Sequence, residues 1–366
     1  MDCDSDNIKD QVLLNCLISD ARFGGVFSLC GFLLRMRDYY KWEKGLEPWD
    51  EPDYQDLLSW VEMREDKWER SNRKDLNAIR INGQDLDPFD TDLINARISE
   101  SGLFYGAGYA TGMKPTFFLA TVLESKTIKN MHVHILDKEL ARDLFASPAM
   151  RQGDHIIIRP QVMAAYLWDV IIEKKASTLE ALRFALAQYD LDVDNMMDVS
   201  KSHRKTLWKM ALDESDTWVH HELGEALQQE FDLQIWQELV ALHANTLVER
   251  VARAVKDLLA DTHEQGLLAH IIRHEKKASM GFYLCLIQPL SRALFPELIR
   301  AFELISSGSD WNELERIRQH GLTRAVELAQ KLTAWHLQGQ TRGKDWVRKT
   351  VESQLIQPLN ICPTED

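Results

Sequence analysis

From Gln161 onward, nearly every window of the sequence carries apolar residues at the three- and four-residue spacing of a helix face, and no other feature constrains the fold as much. "STLEALRFALAQ" opens this run, with Ser177 and, three residues on, Glu180 in the form of a capping box. The spacing predicts further helices over 195–211, 214–231, 233–262, 266–303 in one or two pieces, 310–337 and 342–355. Breaks fall at Gly266, Pro289, Pro296, "SSGSD" and "LQGQTRG". No internal repeat is present, so the helices read as a bundle rather than a solenoid.

The earlier part of the chain reads differently. Residues 7–44 carry apolar positions at helical spacing and end at Gly45, followed by the acidic, proline-bearing connector "LEPWDEPD". A second, heavily charged helix, "YQDLLSWVEMREDKWERSNRK", is expected to bury one stripe through Leu57, Trp60, Val61, Met63 or the stem of Arg64, and Trp68. Strand signals concentrate between Leu103 and Leu136, in "LFYGAGYATG", "PTFFLATVLES" and "MHVHIL". They predict a three-stranded antiparallel meander turning near Thr111–Lys114, where Gly112 is free to take positive φ. "ELARDLFASPAM" then reads as a short helix and "HIIIRP" as one further strand. The expected fold is α+β and predominantly α. An α+β domain over 1–160, with a small antiparallel sheet at 103–159, precedes an all-α helical domain over 161–366.

Charge and cysteine usage narrow the partners. A net charge of -14 opposes the counterion release that drives nucleic-acid binding, so nucleic acid is disfavoured as a partner. The richest basic patch, Lys201, His203, Arg204 and Lys205, reads as a solvated helix face. No run approaches the roughly 18 apolar residues of a spanning helix, and the acidic start "MDCDSDNIKDQ" is unlike a signal peptide, which together predict a soluble, cytoplasmic protein without membrane contact. Cys3, Cys16, Cys30, Cys285 and Cys362 form no C-x-x-C pair and are expected to stay reduced.

Several polar residues sit where polarity needs a reason. "YGAGYATGMK" has the glycines of a phosphate loop, but it leads into a strand rather than the helix such a loop requires. His132 and His134 alternate with Val133 and Ile135, so both imidazoles share one strand face; that face can be the wet side of a half-buried sheet, or the pair can share a metal. In "TWVHHELGEALQQEF", Val219, Leu223, Ala226, Leu227 and Phe231 define a buried stripe that includes His220, with Glu222 at its edge. His221 and Glu225 share the opposite face and read as a surface pair.

On the next helix His243, Arg250, Asp257 and Asp261 line one edge of the core face, and Arg250 is a ready structural partner for Asp257. "LLAHIIRHEKK" then places His270 and His274 one turn apart, as paired histidines stand in helical zinc sites. Asp257, Asp261, His263, His270 and His274 fall within 18 residues around one helix-turn-helix.

Two functional classes fit. The first is a non-catalytic helical protein acting through protein contacts, by a protein partner or by self-association. The second is a metal-dependent enzyme, hydrolytic or redox, with His220, Asp257, Asp261, His270 and His274 as ligands of a divalent Zn, Mn or Fe ion. Glu222 or Glu225 would then be the general base on a metal-bound water.

Overall fold

The computed structural model describes residues 5–26, 28–196, 201–308 and 310–359. The chain forms two compact units, Met1–Ala165 and Tyr166–Asp366. Its class is the expected one, α+β and mostly helical.

The first unit contains α1 (Ser5–Phe23), α2 (Leu29–Lys44), α3 (Tyr54–Glu69), β1 (Ile79–Ile81), β2 (Gln84–Leu86), α4 (Thr91–Ile98), β3 (Leu103–Tyr109), β4 (Pro115–Ile128), β5 (Met131–Arg142), β6 (Ala149–Gln152) and β7 (His155–Ile158). The meander is present as β3, β4 and β5, antiparallel throughout. A single 3-10 turn, Thr111–Met113, with Gly112 at φ 69°, joins β3 to β4. No helix follows this turn as a phosphate loop requires: Gly112 serves the turn, and Gly106, within β3, makes room for the Phe118 ring.

Three expectations need correction here. The run over 7–44 is two helices, because Gly24 and Gly25 interrupt it and Ser28 restarts it by accepting a hydrogen bond from Gly31 N at 3.2 Å. "ELARDLFASPAM" forms no helix. β5 runs on to Arg142 because it pairs with β4 as far as Phe118, and that pairing outweighs the helical propensity of the segment. Finally, β7 joins β5 in parallel, in the order β3-β4-β5-β7-β6, so the sheet is mixed. The hairpin of β1 and β2 was not anticipated, although its Asn82-Gly83 turn, with φ of 51° and 80°, is a standard hairpin signal.

α1 covers one face of the sheet through Val12 and Cys16 against Tyr105, Phe117, Leu119 and Ala141. Beside this core lies a fully buried lysine. Lys114 Nζ stands 3.1 Å from Asp20 Oδ1 and 3.2 Å from Asp143 Oδ2, and donates to Ser19 Oγ at 3.0 Å. Asp143 accepts from the Phe117 and Phe145 amides, and Asp20 from the Leu144 amide, so one cation ties α1 to the start of β4 and the end of β5. On α3 Trp60 is buried as expected. Met63 is exposed, whereas the Arg64 guanidinium lies 4.3 Å from the centre of the Tyr39 ring.

α5 (Pro160–Glu173) crosses the division between the units, and the second unit contains α6 (Leu179–Ala187), α7 (Lys201–Leu227), α8 (Leu233–Leu242), α9 (Leu247–Thr262), α10 (Leu267–Arg273), α11 (Lys277–Leu286), α12 (Pro289–Leu294), α13 (Glu297–Ser307), α14 (Trp311–Arg342) and α15 (Lys344–Val351). The helices expected over 195–211 and 214–231 are one, since "LDESD" contains nothing that breaks a helix. The single helix expected over 233–262 is two, parted where Asn245 takes φ 61°. Thr178, not Ser177, caps α6, and no side-chain capping bond is made. Cys16 and Cys285 are free thiols, while Cys3 and Cys362 lie outside the described residues. Among the described residues no helix is long and apolar enough to cross a membrane.

Replacing Lys114 with Met should destabilise the first unit by about 3–5 kcal/mol, because it leaves two carboxylates buried without their cation. Urea unfolding monitored by tryptophan fluorescence measures this, and a loss below about 1 kcal/mol would contradict a central role for the cluster.

Candidate metal centre

α7 and α9 meet backbone to backbone. A Cβ on Gly224 would stand 2.1 Å from the Ala260 carbonyl oxygen, so only glycine permits this approach. One turn apart on α9, on either side of the contact, sit Asp257 and Asp261; at the same spacing on α7 sit His221 and Glu225. The close crossing lets these short side chains reach one another.

His221 Nδ1 is 2.7 Å from Asp261 Oδ1, and the Tyr283 hydroxyl, from α11, donates to Asp261 Oδ2 at 2.7 Å. His221, Glu225 and Asp257 each offer one ligand atom, and these atoms lie within 4.8 Å of one another. Among the described residues no other three His, Cys, Asp or Glu side chains meet that condition. With Nδ1 engaged by Asp261, Nε2 is the nitrogen of His221 left to ligate. Lys256 Nζ is 3.0 Å from Glu225 Oε1 and 3.6 Å from the centre of the Trp236 ring, so the carboxylate is held from one side.

Burial by itself would drive the His221 imidazole toward its neutral form. Asp261, by charge and hydrogen bond, and then Glu222 and Asp257 overcome this and hold it up at about 10. Asp257 is pushed up to about 6, first by burial and then by Asp261 and Glu225, with His221 and Lys256 opposing. The pocket therefore concentrates negative charge and retains a proton.

The five expected ligands fall into two groups. Asp257 and Asp261 stand with His221, whereas His220, His270 and His274 form a separate stack, with ring centroids 3.8 Å apart for His220 and His270 and 4.6 Å for His270 and His274. Both ring nitrogens of His270 are buried without a hydrogen-bond partner, and Asp216 Oδ2 lies 3.7 Å from its Nε2. Burial, then His220, Lys276, His274 and Arg273, drives His270 down to about 3, and His274 is exposed. The two cations beside the stack, Lys276 and Arg273, disfavour a metal ion there.

His221 and Glu225 correct the sequence reading. They are not a surface pair: His221 is 9% exposed, and α7 contacts α10 on one side and α9 on another, so its buried sector is wider than one stripe. Glu222 is buried too. The signal that finds the site is the match of two one-turn pairs, His221 with Glu225 and Asp257 with Asp261, on helices joined near a glycine.

Residues 7–159 match the N-terminal domain, and residues 164–354 the C-terminal domain, of a family of unknown function (DUF6866). No curated protein and no solved structure matches the chain.

Gly224→Ala should cost about 1–3 kcal/mol in urea unfolding although alanine is the better helix former, because its methyl meets backbone and cannot be accommodated by a rotamer change. An unchanged or raised stability would contradict the close crossing. The His221–Asp261 pair should also make the chelator-treated protein pH-sensitive. The folded imidazole keeps its proton to about pH 10 and the unfolded one loses it near 6.5, so the pair's contribution is full below pH 6.5 and is lost as pH rises toward 10. Relative to Asp261→Asn, the native chain should lose a few kcal/mol, at most about 5, across that window. Parallel stability-pH curves for the two proteins would contradict this.

Proposed function

We propose that this chain, which belongs to the DUF6866 family, binds a divalent transition-metal ion between α7 and α9 and acts as a metal-dependent hydrolase. The observation that carries the proposal is the meeting of the His221, Glu225 and Asp257 ligand atoms within 4.8 Å, beside an imidazole oriented by Asp261. A carboxylate on the far nitrogen of a ligating histidine fixes its tautomer and raises its basicity, and here Tyr283 holds that carboxylate in turn. One nitrogen with two oxygen donors suits Zn, Mn or Fe.

Three protein ligands leave coordination positions open, as in catalytic rather than structural sites, and a bound ion would supply an activated water there. Glu225 becomes a ligand in this arrangement. Glu222, buried next to His221, is then the carboxylate remaining as candidate base. His221 replaces His220, His270 and His274 in the proposed ligand set, and Asp261 orients rather than ligates.

The other reading, a non-catalytic protein acting through protein contacts, is favoured by α2, where Leu29 and Leu33, one turn apart, are 74% and 55% exposed. Division into independently folding domains over 1–160 and 161–366 is part of the proposal. The metal site lies wholly in the second.

Metal analysis and calorimetric titration of the chelator-treated protein with Mn2+ and Zn2+ test the hydrolase reading. The native chain should bind one equivalent more than Glu225→Gln or Asp257→Asn, and Asp261→Asn should weaken that equivalent about 10–100-fold. Equal stoichiometry in the native chain and in both ligand variants would sink the metal site and leave protein contacts as the reading that stands.

A further inference from the structure

A second group of imidazoles lies in the first unit, away from the residues used so far. β5 and β7 run parallel with His132 in register with His155, and β4 brings Ser125 opposite His134. The alternation of a strand puts these four side chains on one face, while Val133 and Ile156 pack into the core behind. His134 Nε2 and His155 Nδ1 are 2.9 Å apart, and Ser125 Oγ is 2.9 Å from His134 Nδ1. The rings of His132 and His155 have centroids 5.4 Å apart, and Phe104 lies 4.8 Å from the His134 ring. His132 is exposed; His134 and His155 are half-buried.

We propose that His134 Nε2 and His155 Nδ1, joined by His132, form a cation site for imidazole-preferring metals such as Zn2+, Ni2+ or Cu2+. Two nitrogens on one ion, each at about 2.0–2.1 Å, stand about 2.9 Å apart at a right angle and about 3.3 Å apart in a tetrahedron. The observed 2.9 Å matches the right-angle spacing, and a parting of the rings by about 0.4 Å reaches the tetrahedral one. Ser125 already does the work of an outer partner: an ion on His134 Nε2 requires the proton on Nδ1, and Ser125 Oγ is placed to accept it.

In the metal-free state a single proton bridges the two rings. When it lies on His155 Nδ1, metal binding moves it through solvent to Nε2 of the same ring, and no net proton is released. His132 is free to rotate toward the ion because its side chain is solvated, and its register with His155 puts it on the same face. Both half-buried rings are held neutral, His134 at about 4, by burial first and then by the neighbouring histidines, so neither need lose a charge to ligate.

The site is tested in the full chain on a Glu225→Gln/Asp257→Asn background, which makes the result independent of the proposal for the second unit. Titration with Cu2+ followed by electron paramagnetic resonance should show one tightly bound ion with hyperfine coupling to more than one imidazole nitrogen. Adding His134→Gln and His155→Gln should remove that spectrum and weaken binding at least a hundredfold, while His132→Gln and Ser125→Ala should each weaken it about tenfold. Thermal unfolding of each variant checks that the sheet still forms. If the sheet is lost in the double histidine variant, nitrogen-15 imidazole spectra of the background protein decide instead: Zn2+ should move His155 from the Nδ1–H to the Nε2–H tautomer. Affinity unchanged by the histidine substitutions, or imidazole signals indifferent to Zn2+, would overturn the proposal.

Discussion

The candidate centre depends on a backbone contact. Aspartate has only one methylene to project its charge, so a close approach of α9 to α7 favours contact between its carboxylates and an imidazole on α7. Gly224 against Ala260 removes the side-chain layer at this level of the bundle. Asp261 then meets His221, and a carboxylate oxygen of Asp257 comes within 4.8 Å of the ligand atoms of His221 and Glu225. Gly266, whose added Cβ would also fall 2.0 Å from the Ala260 oxygen, keeps the turn after α9 equally close. The same carbonyl is thus crowded from two directions by residues without side chains.

Three sets of histidines show how neighbours, rather than residue type, decide what an imidazole can do. His221 is enclosed by acids and holds its proton far above the ordinary range. His270 is buried among His220, Lys276, His274 and Arg273 and is neutral in all ordinary conditions, with both nitrogens unpaired. His134 and His155 face each other and His132, so both rings are held toward the neutral form and a single hydrogen bond joins them. Burial lowers all of them alike; the sign of the nearby charge separates them. The first unit uses the same rule in reverse at Lys114, where two carboxylates offset the burial of one ammonium.

The pattern of apolar residues made the fold class legible because its two signals are local. Strand alternation in "MHVHIL" placed Val133 inward and His132 outward, and the helical run after Gln161 gave the bundle. Parallel pairing of β7 with β5 was not legible, because no tight turn announces it and the register between His132 and His155 is set by the tertiary packing of both strands. At the candidate site, apolar periodicity marks a single buried stripe on α7. A helix packed on two sides has no single solvated face, so His221 was assigned to water while it sits against α9. Asp261, an acid at the edge of the core face, is bonded to His221 of α7. The partner was on the other helix, where a spacing argument made one helix at a time does not look.

A metal ion at the proposed site would compete with a proton for the same imidazole. The acids that raise His221 to about 10 make its Nε2 a poor ligand at neutral pH when taken alone, since the ring must first lose its proton. The same acids supply the compensation. Asp261 stabilises a ring carrying positive charge whether that charge comes from a proton or from a cation shared through Nε2, and Asp257, pushed up to about 6, becomes a stronger donor once ionised beside an ion. Such an exchange would replace one buried positive charge by two, facing Asp257, Glu225 and Asp261 together, and would bring the net charge of the pocket closer to neutrality. Retention of a proton by the site and the proposed affinity for a divalent cation would then be two responses to one excess of carboxylates, fixed by the glycine that lets the helices meet.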